Sequence, residues 1–136
     1  MSDTLRLFVP GKPEYVRAVR MAVSAVASGA GFDVEAVEDI KVAVSEACAN
    51  VVCHGANPQH TGYEVSCVLF DDRLVIRVID QAGGYDAGRY KEPEAGELRE
   101  GGLGIFIIKA LMDEVSIDSE IGKGTLIQMI KRHSIR

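Results

Sequence analysis

The chain contains no tryptophan, only three cysteines and no long hydrophobic run. No stretch approaches the 18 or so apolar residues of a membrane-spanning helix, and the first fifteen residues lack the apolar core of a signal peptide. Cys48, Cys53 and Cys67 have no CxxC spacing and are odd in number, which argues against a disulfide framework or a structural zinc site. These absences predict a cytoplasmic protein without a membrane segment.

The sequence also lacks an excess of basic residues. Its formal net charge is −5, which argues against free nucleic acid as a direct ligand. A hydrophobic content of 47% is enough for a globular core and argues against disorder. With 136 residues, we expect a single domain over 1–136.

Hydrophobic periodicity divides the chain into recognisable elements. Alternation predicts a strand at 5–9, and spacings of three and four predict helices at 13–30 and from about 34 to 55, with Asp33 as a cap. Further predictions are a hairpin over 63–80, a loop over 81–101, a helix over 102–115 and a second hairpin ending near residue 131. This order predicts an α/β two-layer sandwich (α+β), with a mixed, largely antiparallel sheet and helices on one face.

The second predicted helix contains the stretch VSEACANVVCHG, in which Glu46, Asn50 and His54 interrupt small apolar residues at intervals of four. Residues four apart lie on nearly the same helix face, about 40° apart. An unpaired carboxylate inside an apolar helix would lose several kcal/mol of hydration. Two interpretations stay open: this face meets solvent, or it lines a polar site.

Two glycine-containing segments could approach a ligand closely. In VIDQAGGYD, Asp80 ends an apolar strand and Gly84 follows it. In EGGLGIFIIKALMDEV, Gly102 and Gly104 precede a helix whose free amides could bind phosphate. Neither GxGxxG nor GxxxxGK[ST] occurs, so the dinucleotide and P-loop signatures are absent. The segment GKGT fits a hairpin turn followed by Thr125 at the start of the last strand.

Metal and nucleophile chemistry have little support. The histidines, His54, His60 and His133, show no HExxH or paired spacing. Cys48 and Cys53 are five residues apart and would point to different faces of a helix.

Taken in order, these segments resemble the ATP-binding domain of the GHKL (Bergerat) superfamily, and most of all its bacterial anti-sigma-factor serine kinases. EDIKVAVSEACANVVCHG is similar to the N-box, VIDQAGGYD to the first glycine box, EGGLGIFIIKALMDEV to the second and GKGT to the third. The resemblance covers nearly the whole chain.

The resemblance implies a role for each of the polar residues. Asn50 would hold Mg²⁺ against the ATP phosphates, and Glu46 would be the general base that accepts the proton of the attacking hydroxyl. Asp80 would accept a hydrogen bond from the adenine amino group, with Gly84 letting the base lie close and Thr125 supporting that end.

The same resemblance assigns the glycines of the second box to the phosphates. Gly102 and Gly104 would let the loop and helix start wrap them, and residues 85–100 would form the ATP lid. Ala82 departs from the usual D-x-G-x-G pattern of the first box, where a glycine stands at its position. No dimerisation-histidine helix pair is visible, which disfavours a histidine kinase.

The function implied is that of an anti-sigma factor and protein serine kinase. Such a protein sequesters an alternative sigma factor as a homodimer and uses Mg-ATP to phosphorylate a serine on a STAS-domain anti-anti-sigma antagonist. Two alternatives are a nucleotide-binding anti-sigma or switch protein without kinase activity, and a switch kinase that activates a phosphatase.

Overall fold

The computed structural model describes residues 2–54, 62–80, 102–120 and 124–133. These residues form five strands and three α-helices, which in chain order are β1 (Asp3–Val9), α1 (Val16–Gly29), α2 (Val34–His54), β2 (Tyr63–Leu69), β3 (Arg73–Asp80), α3 (Gly102–Leu111), β4 (Glu114–Glu120) and β5 (Gly124–Arg132). None of the helices in the described ranges is long and apolar enough to cross a bilayer.

The first two helices follow their sequence signals closely. The predicted helix at 13–30 begins as a 3-10 turn at Pro13–Tyr15 and continues as α1. Gly31 follows it with φ +91°, a left-handed conformation that suits glycine after a helix. At the start of α2, Asp33 Oδ1 accepts a hydrogen bond from the Ala36 amide at 2.8 Å, so Asp33 caps the helix as predicted.

The sheet has the order β1-β2-β3-β5-β4, and every described pair is antiparallel. The two local hairpins, β2–β3 and β4–β5, are joined by pairing between β3 and β5. Both hairpins and the α+β class are therefore confirmed. In the described strands the sheet is wholly antiparallel, where the sequence had suggested a mixed arrangement.

The core lies between the three helices and one face of the sheet. Alternate residues of β3 point into it, and Leu74, Ile76 and Val78 are fully buried. They pack with a stripe of buried residues on α2: Ile40, Ala43, Val44, Ala47, Cys48 and Val51. Burying one such aliphatic side chain stabilises the fold by about 1.5–3 kcal/mol.

The third helix is shorter than the sequence predicted. α3 ends at Leu111, not at Val115, because the chain turns there to enter β4. The Asp113 amide donates to the Ile130 carbonyl of β5 at 2.9 Å, and Lys131 Nζ donates to the Leu111 carbonyl at 2.6 Å. Strand pairing and a lysine cap at the helix end thus overcome the local helical pattern of LMDEV.

Several predicted segments fall outside the described residues. They are the loop after α2 up to residue 61, the predicted ATP lid at 85–100 together with Gly84, and the turn over 121–123.

Candidate functional site

One half of the candidate site lies on α2, at the border of its buried stripe. Asn50 is 8% exposed and Glu46 is half-buried. On a helix with 100° per residue, Asn50 is rotated about 40° from Glu46 toward the middle of the stripe. The Asn50 side chain is therefore turned inward and Glu46 lies at the edge of the buried stripe, so this part of the face does not simply meet solvent.

The start of α3 lies against the Glu46 carboxylate. A methyl group placed on Gly104 would lie 2.9 Å from Glu46 Oε2, closer than two such atoms approach in proteins. The nearest other atoms to that methyl group also belong to Glu46. Glycine at this position therefore gives the glutamate carboxylate room beside the first turn of the helix.

The other half of the site is a row of polar side chains across three neighbouring strands. The strand register pairs Asp80 with Thr125 and Thr125 with Ser119. All three are buried, at 2%, 5% and 7% exposure respectively. The Ser119 and Thr125 hydroxyl oxygens are 2.6 Å apart. Direct partners in a sheet share a face, so this row belongs to the helix-covered side that also holds Val78 and Ile127.

A contact between α2 and the start of β2 shows that the two halves of the site lie at the same end of the fold. Tyr63 begins β2 beside the end of β3, since Glu64 pairs with Ile79. Cys48 of α2 neighbours Tyr63. Burial raises the pKa of the Cys48 thiol to about 12 and raises the pKa of the Tyr63 phenol as well. The segment of α2 with Glu46 and Asn50 therefore lies over the strand ends that present Asp80 and Thr125.

The residues present fit a nucleotide with Mg²⁺. Asn50 Oδ1 is buried and meets no hydrogen-bond partner among the described residues, so it is a hard oxygen ligand left available. Within the same described ranges, no three His, Cys, Asp or Glu side chains group as a metal site. Mg²⁺ takes one or two protein ligands and completes its shell with phosphate oxygens and water, so one amide oxygen is a sufficient ligand from the protein.

The remaining predicted residues are placed as follows. Gly102 is the first residue of α3, and His54 is the last residue of α2. Gly84 lies outside the described residues. The structure thus brings together Glu46 with Gly104, and Asp80 with Thr125, whereas the chemical roles of all these residues stay predictions.

Sequence reasoning missed Ser119. It occupies the inward position of β4 after Val115 and Ile117, so a hydroxyl takes the place of an apolar side chain in the alternation. That interruption was the available signal, because a polar residue on the buried face of a strand needs a hydrogen-bond partner. The partner, Thr125, was itself a predicted site residue.

Comparison with known proteins agrees with the architecture. The family model of the histidine kinase-like ATPase domain matches residues 9–131. The serine-protein kinase RsbW of Oceanobacillus iheyensis is 39% identical over 138 aligned residues, covering 95% of this chain and 86% of the relative. That of Listeria monocytogenes is 41% identical over 126 residues, covering 86% and 80%.

Two solved structures share the fold. One contains the RsbU and RsbW domains of a Mycobacterium tuberculosis protein, with a TM-score of 0.75 and 24% identity over 98% of this chain and 33% of that one. The other is the histidine kinase domain of a blue-light activated kinase from Erythrobacter litoralis, with a TM-score of 0.58 and 20% identity over 90% of this chain and 60% of that one.

The match over 9–131 spans most of the chain, and the alignments with the two relatives cover 80% or more of each protein. The resemblance found in the sequence is thereby confirmed: the chain belongs to the histidine kinase-like ATPase family, in the branch of the RsbW serine-protein kinases.

Proposed function

We propose that this protein is an anti-sigma factor and protein serine kinase, which sequesters an alternative sigma factor and phosphorylates a serine on its STAS-domain antagonist with Mg-ATP. The observation that supports it best is the Glu46 carboxylate beside Gly104 at the start of α3. A half-buried carboxylate one helical turn from a buried Asn50 oxygen, which has no partner in the part of the chain that the structure describes, is suited to acid–base chemistry next to a metal-bound phosphate. The RsbW relatives are themselves named serine-protein kinases.

The predicted site residues other than Glu46 would take part in binding. Asn50 would hold Mg²⁺, which when bound neutralises charge on the phosphates. Asp80 would accept a hydrogen bond from the adenine amino group, with Thr125 beside it in the strand register. Gly102 and Gly104 would leave the amides at the start of α3 open to the phosphates, where the helix dipole also favours negative charge.

In the transfer itself, Glu46 acts as the general base. It accepts the proton of the antagonist's serine hydroxyl while the serine oxygen forms its bond to the terminal phosphorus. The bond from that phosphorus to the bridging oxygen breaks, and ADP leaves with the electron pair. The protein's contribution is mainly positioning and electrostatic stabilisation, since phosphoryl transfer needs little covalent chemistry from the enzyme.

The proposal includes the cellular setting. The protein would act in the cytoplasm as a homodimer, with a sigma factor and a STAS-domain protein as alternative partners and no direct contact with nucleic acid. The net charge of −5 agrees with protein partners.

The test is phosphate transfer from labelled ATP to purified STAS-domain proteins of the source organism in the presence of Mg²⁺. Changing Glu46→Gln should lower transfer by about 10²- to 10⁴-fold, because the amide cannot accept the proton, while ADP still binds. Glu38→Gln is the matched control. Glu38 is exposed on the same helix, and its Oε1 lies 3.2 Å from Lys41 Nζ. This variant should leave transfer unchanged.

Two outcomes would contradict the proposal. Wild-type protein that binds a sigma factor but labels no STAS protein would indicate an anti-sigma protein without kinase activity. Recovery of a phosphatase with the STAS protein in a pull-down, and no sigma factor, would indicate a switch kinase instead.

A further inference from the structure

In the buried Ser119–Thr125 pair, Ser119 is the residue to which the proposed function gives no task. The oxygens of the pair are 2.6 Å apart, a short distance for two neutral hydroxyl groups. Both side chains are more than nine-tenths buried, on the strand face covered by the helices. Thr125 lies in the middle of the row, between Ser119 on β4 and Asp80 on β3.

The chemistry of two hydroxyl groups limits how this pair can be arranged. Each has one proton, and only one proton can lie between the two oxygens. On its other side Thr125 adjoins the position of Asp80, a carboxylate that accepts hydrogen bonds and donates none when ionised. The Thr125 proton is therefore best directed to the Asp80 side, which leaves Ser119 as the donor to Thr125.

We propose that Ser119 is a positioning residue for base recognition: by donating to the Thr125 hydroxyl, it keeps the Thr125 proton on the Asp80 side of the row, where the ring nitrogen of a base held by Asp80 can accept it. Asp80 and Thr125 then present an acceptor and a donor side by side. A 6-aminopurine has the complementary edge, with an amino donor next to a ring-nitrogen acceptor. A 6-oxopurine has the opposite order, with a carbonyl acceptor next to an N–H donor. This inference rests on the proposed function, since it assumes that the base binds at Asp80.

The experiment is equilibrium titration of the purified protein with ADP and with inosine diphosphate, each with Mg²⁺. In the Ser119→Ala variant we expect the Kd for ADP to rise about 3- to 10-fold, the effect of loosening one hydrogen bond. The Kd for inosine diphosphate should change less than twofold, so the preference for ADP narrows. Ser119→Thr keeps the hydroxyl on a residue that strands tolerate, and it should restore the preference.

Two further variants complete the test. Ser116→Ala makes the same change on the same strand at an exposed position, and it should bind both nucleotides as the wild type does. Ser119→Cys keeps the volume with a weak donor, so it should narrow the preference even if Ser119→Ala does not fold. If the Kd values for both nucleotides rise by the same factor, Ser119 serves only the fold. If neither Kd changes, Ser119 has no role in base recognition. Either result would overturn the proposal.

Failure of this inference can be told apart from failure of the proposed function. If wild-type protein does not bind ADP, or binds it equally well after Asp80→Asn, the assignment of the base site is wrong. If Asp80→Asn abolishes ADP binding while Ser119→Ala keeps the wild-type ratio, only the role of Ser119 is wrong.

Discussion

Asn50 shows at the scale of a single residue how the proposed metal site would oppose stability. Its Oδ1 is buried on α2 and meets no hydrogen-bond partner among the described residues. A buried acceptor without a partner costs about 1–3 kcal/mol of desolvation, and natural proteins keep such groups mainly at functional positions.

Replacing Asn50 should therefore separate stability from binding. Asn50→Leu keeps the branching of the side chain and removes the Oδ1 atom. We expect the free energy of unfolding without nucleotide to fall by less than about 1 kcal/mol or to rise, because no hydrogen bond of Oδ1 is lost. Thermal unfolding with and without Mg-ADP measures both effects, and the stabilisation by Mg-ADP should disappear.

The same experiment has a clear contrary outcome. A loss of 2 kcal/mol or more without nucleotide would mean that Oδ1 has a stabilising partner within the protein. Undiminished stabilisation by Mg-ADP would mean that Asn50 does not hold the metal.

Single residues also show how far sequence reasoning reached into the site. Glu46 and Asn50 were predicted to share a helix face because helical periodicity is local information. The pairing of Asp80 with Thr125 joins residues 45 positions apart, and only family resemblance suggested it. Ser119 was missed because its partner is across a strand pair, where periodicity along the chain says nothing about which hydroxyls meet.

At the scale of elements, Gly104 determines where the Glu46 carboxylate lies between α3 and α2. A methyl group there would lie 2.9 Å from Glu46 Oε2, which is the mobile end of a side chain and can move aside. A larger residue at position 104 would therefore leave the helix packing intact, but it would displace the Glu46 carboxylate.

We expect Gly104→Ala to leave the melting temperature unchanged or higher, since alanine favours a helix by up to about 1 kcal/mol over glycine. Phosphate transfer should nevertheless fall by about 10- to 100-fold, because Glu46, the proposed general base, is displaced. Calorimetry and the label-transfer assay measure the two effects.

Gly29→Ala provides the matched control. Nothing lies within 4 Å of a methyl group at that position, and its φ is not positive, so stability should rise by about 0.4–1 kcal/mol with unchanged transfer. Full transfer by Gly104→Ala would show that the Glu46 carboxylate tolerates displacement.

The boundary between α3 and β4 marks where local pattern loses predictive value. The residues Met112 to Val115 fit a helix, yet Glu114 and Val115 are in β4, paired with Ile130 and Met129. The helix ends where β4 pairs with β5, a strand more distant in the sequence. Hydrophobic periodicity along a short window cannot predict such a pairing.

For the whole molecule, the three cysteines report on the integrity of the core. Cys53 is exposed, whereas Cys48 and Cys67 are buried in the core. Burial raises the pKa of Cys48 to about 12 and that of Cys67 to about 11, from an ordinary value of 9.0. The folded state thus holds these protons more tightly than the unfolded state.

Both pKa values are raised on folding. The two thiols therefore contribute fully to the free energy of unfolding below about pH 9, and this contribution is lost as the pH rises toward 11–12. Each thiol contributes a slope of about 1.4 kcal/mol per pH unit within its window. Unfolding by urea at pH 8, 9, 10 and 11 measures this loss.

A thiol reagent at pH 8 should label one cysteine per folded chain and all three after denaturation. Rapid labelling of three thiols in the folded protein, or stability that does not decrease between pH 9 and 11, would contradict the buried placement of Cys48 and Cys67.

Periodicity predicted the two hairpins and the layer of helices, but it did not predict the strand order. Each hairpin joins strands that are neighbours in sequence, so a short turn is enough to pair them. The pairing of β3 with β5 and of β1 with β2 joins segments dozens of residues apart, and the sequence pattern gives no register for them.

The position of β5 has a consequence for the protein during its synthesis. β5 follows every other described strand in the chain, yet it lies inside the sheet between β3 and β4. A nascent chain can form α1, α2 and the β2–β3 hairpin early, but Asp80 and Ser119 acquire Thr125 only when β5 has left the ribosome. The row of Asp80, Thr125 and Ser119 is therefore completed late, so a translating ribosome carries a chain that is folded in part but still lacks the site proposed for the base.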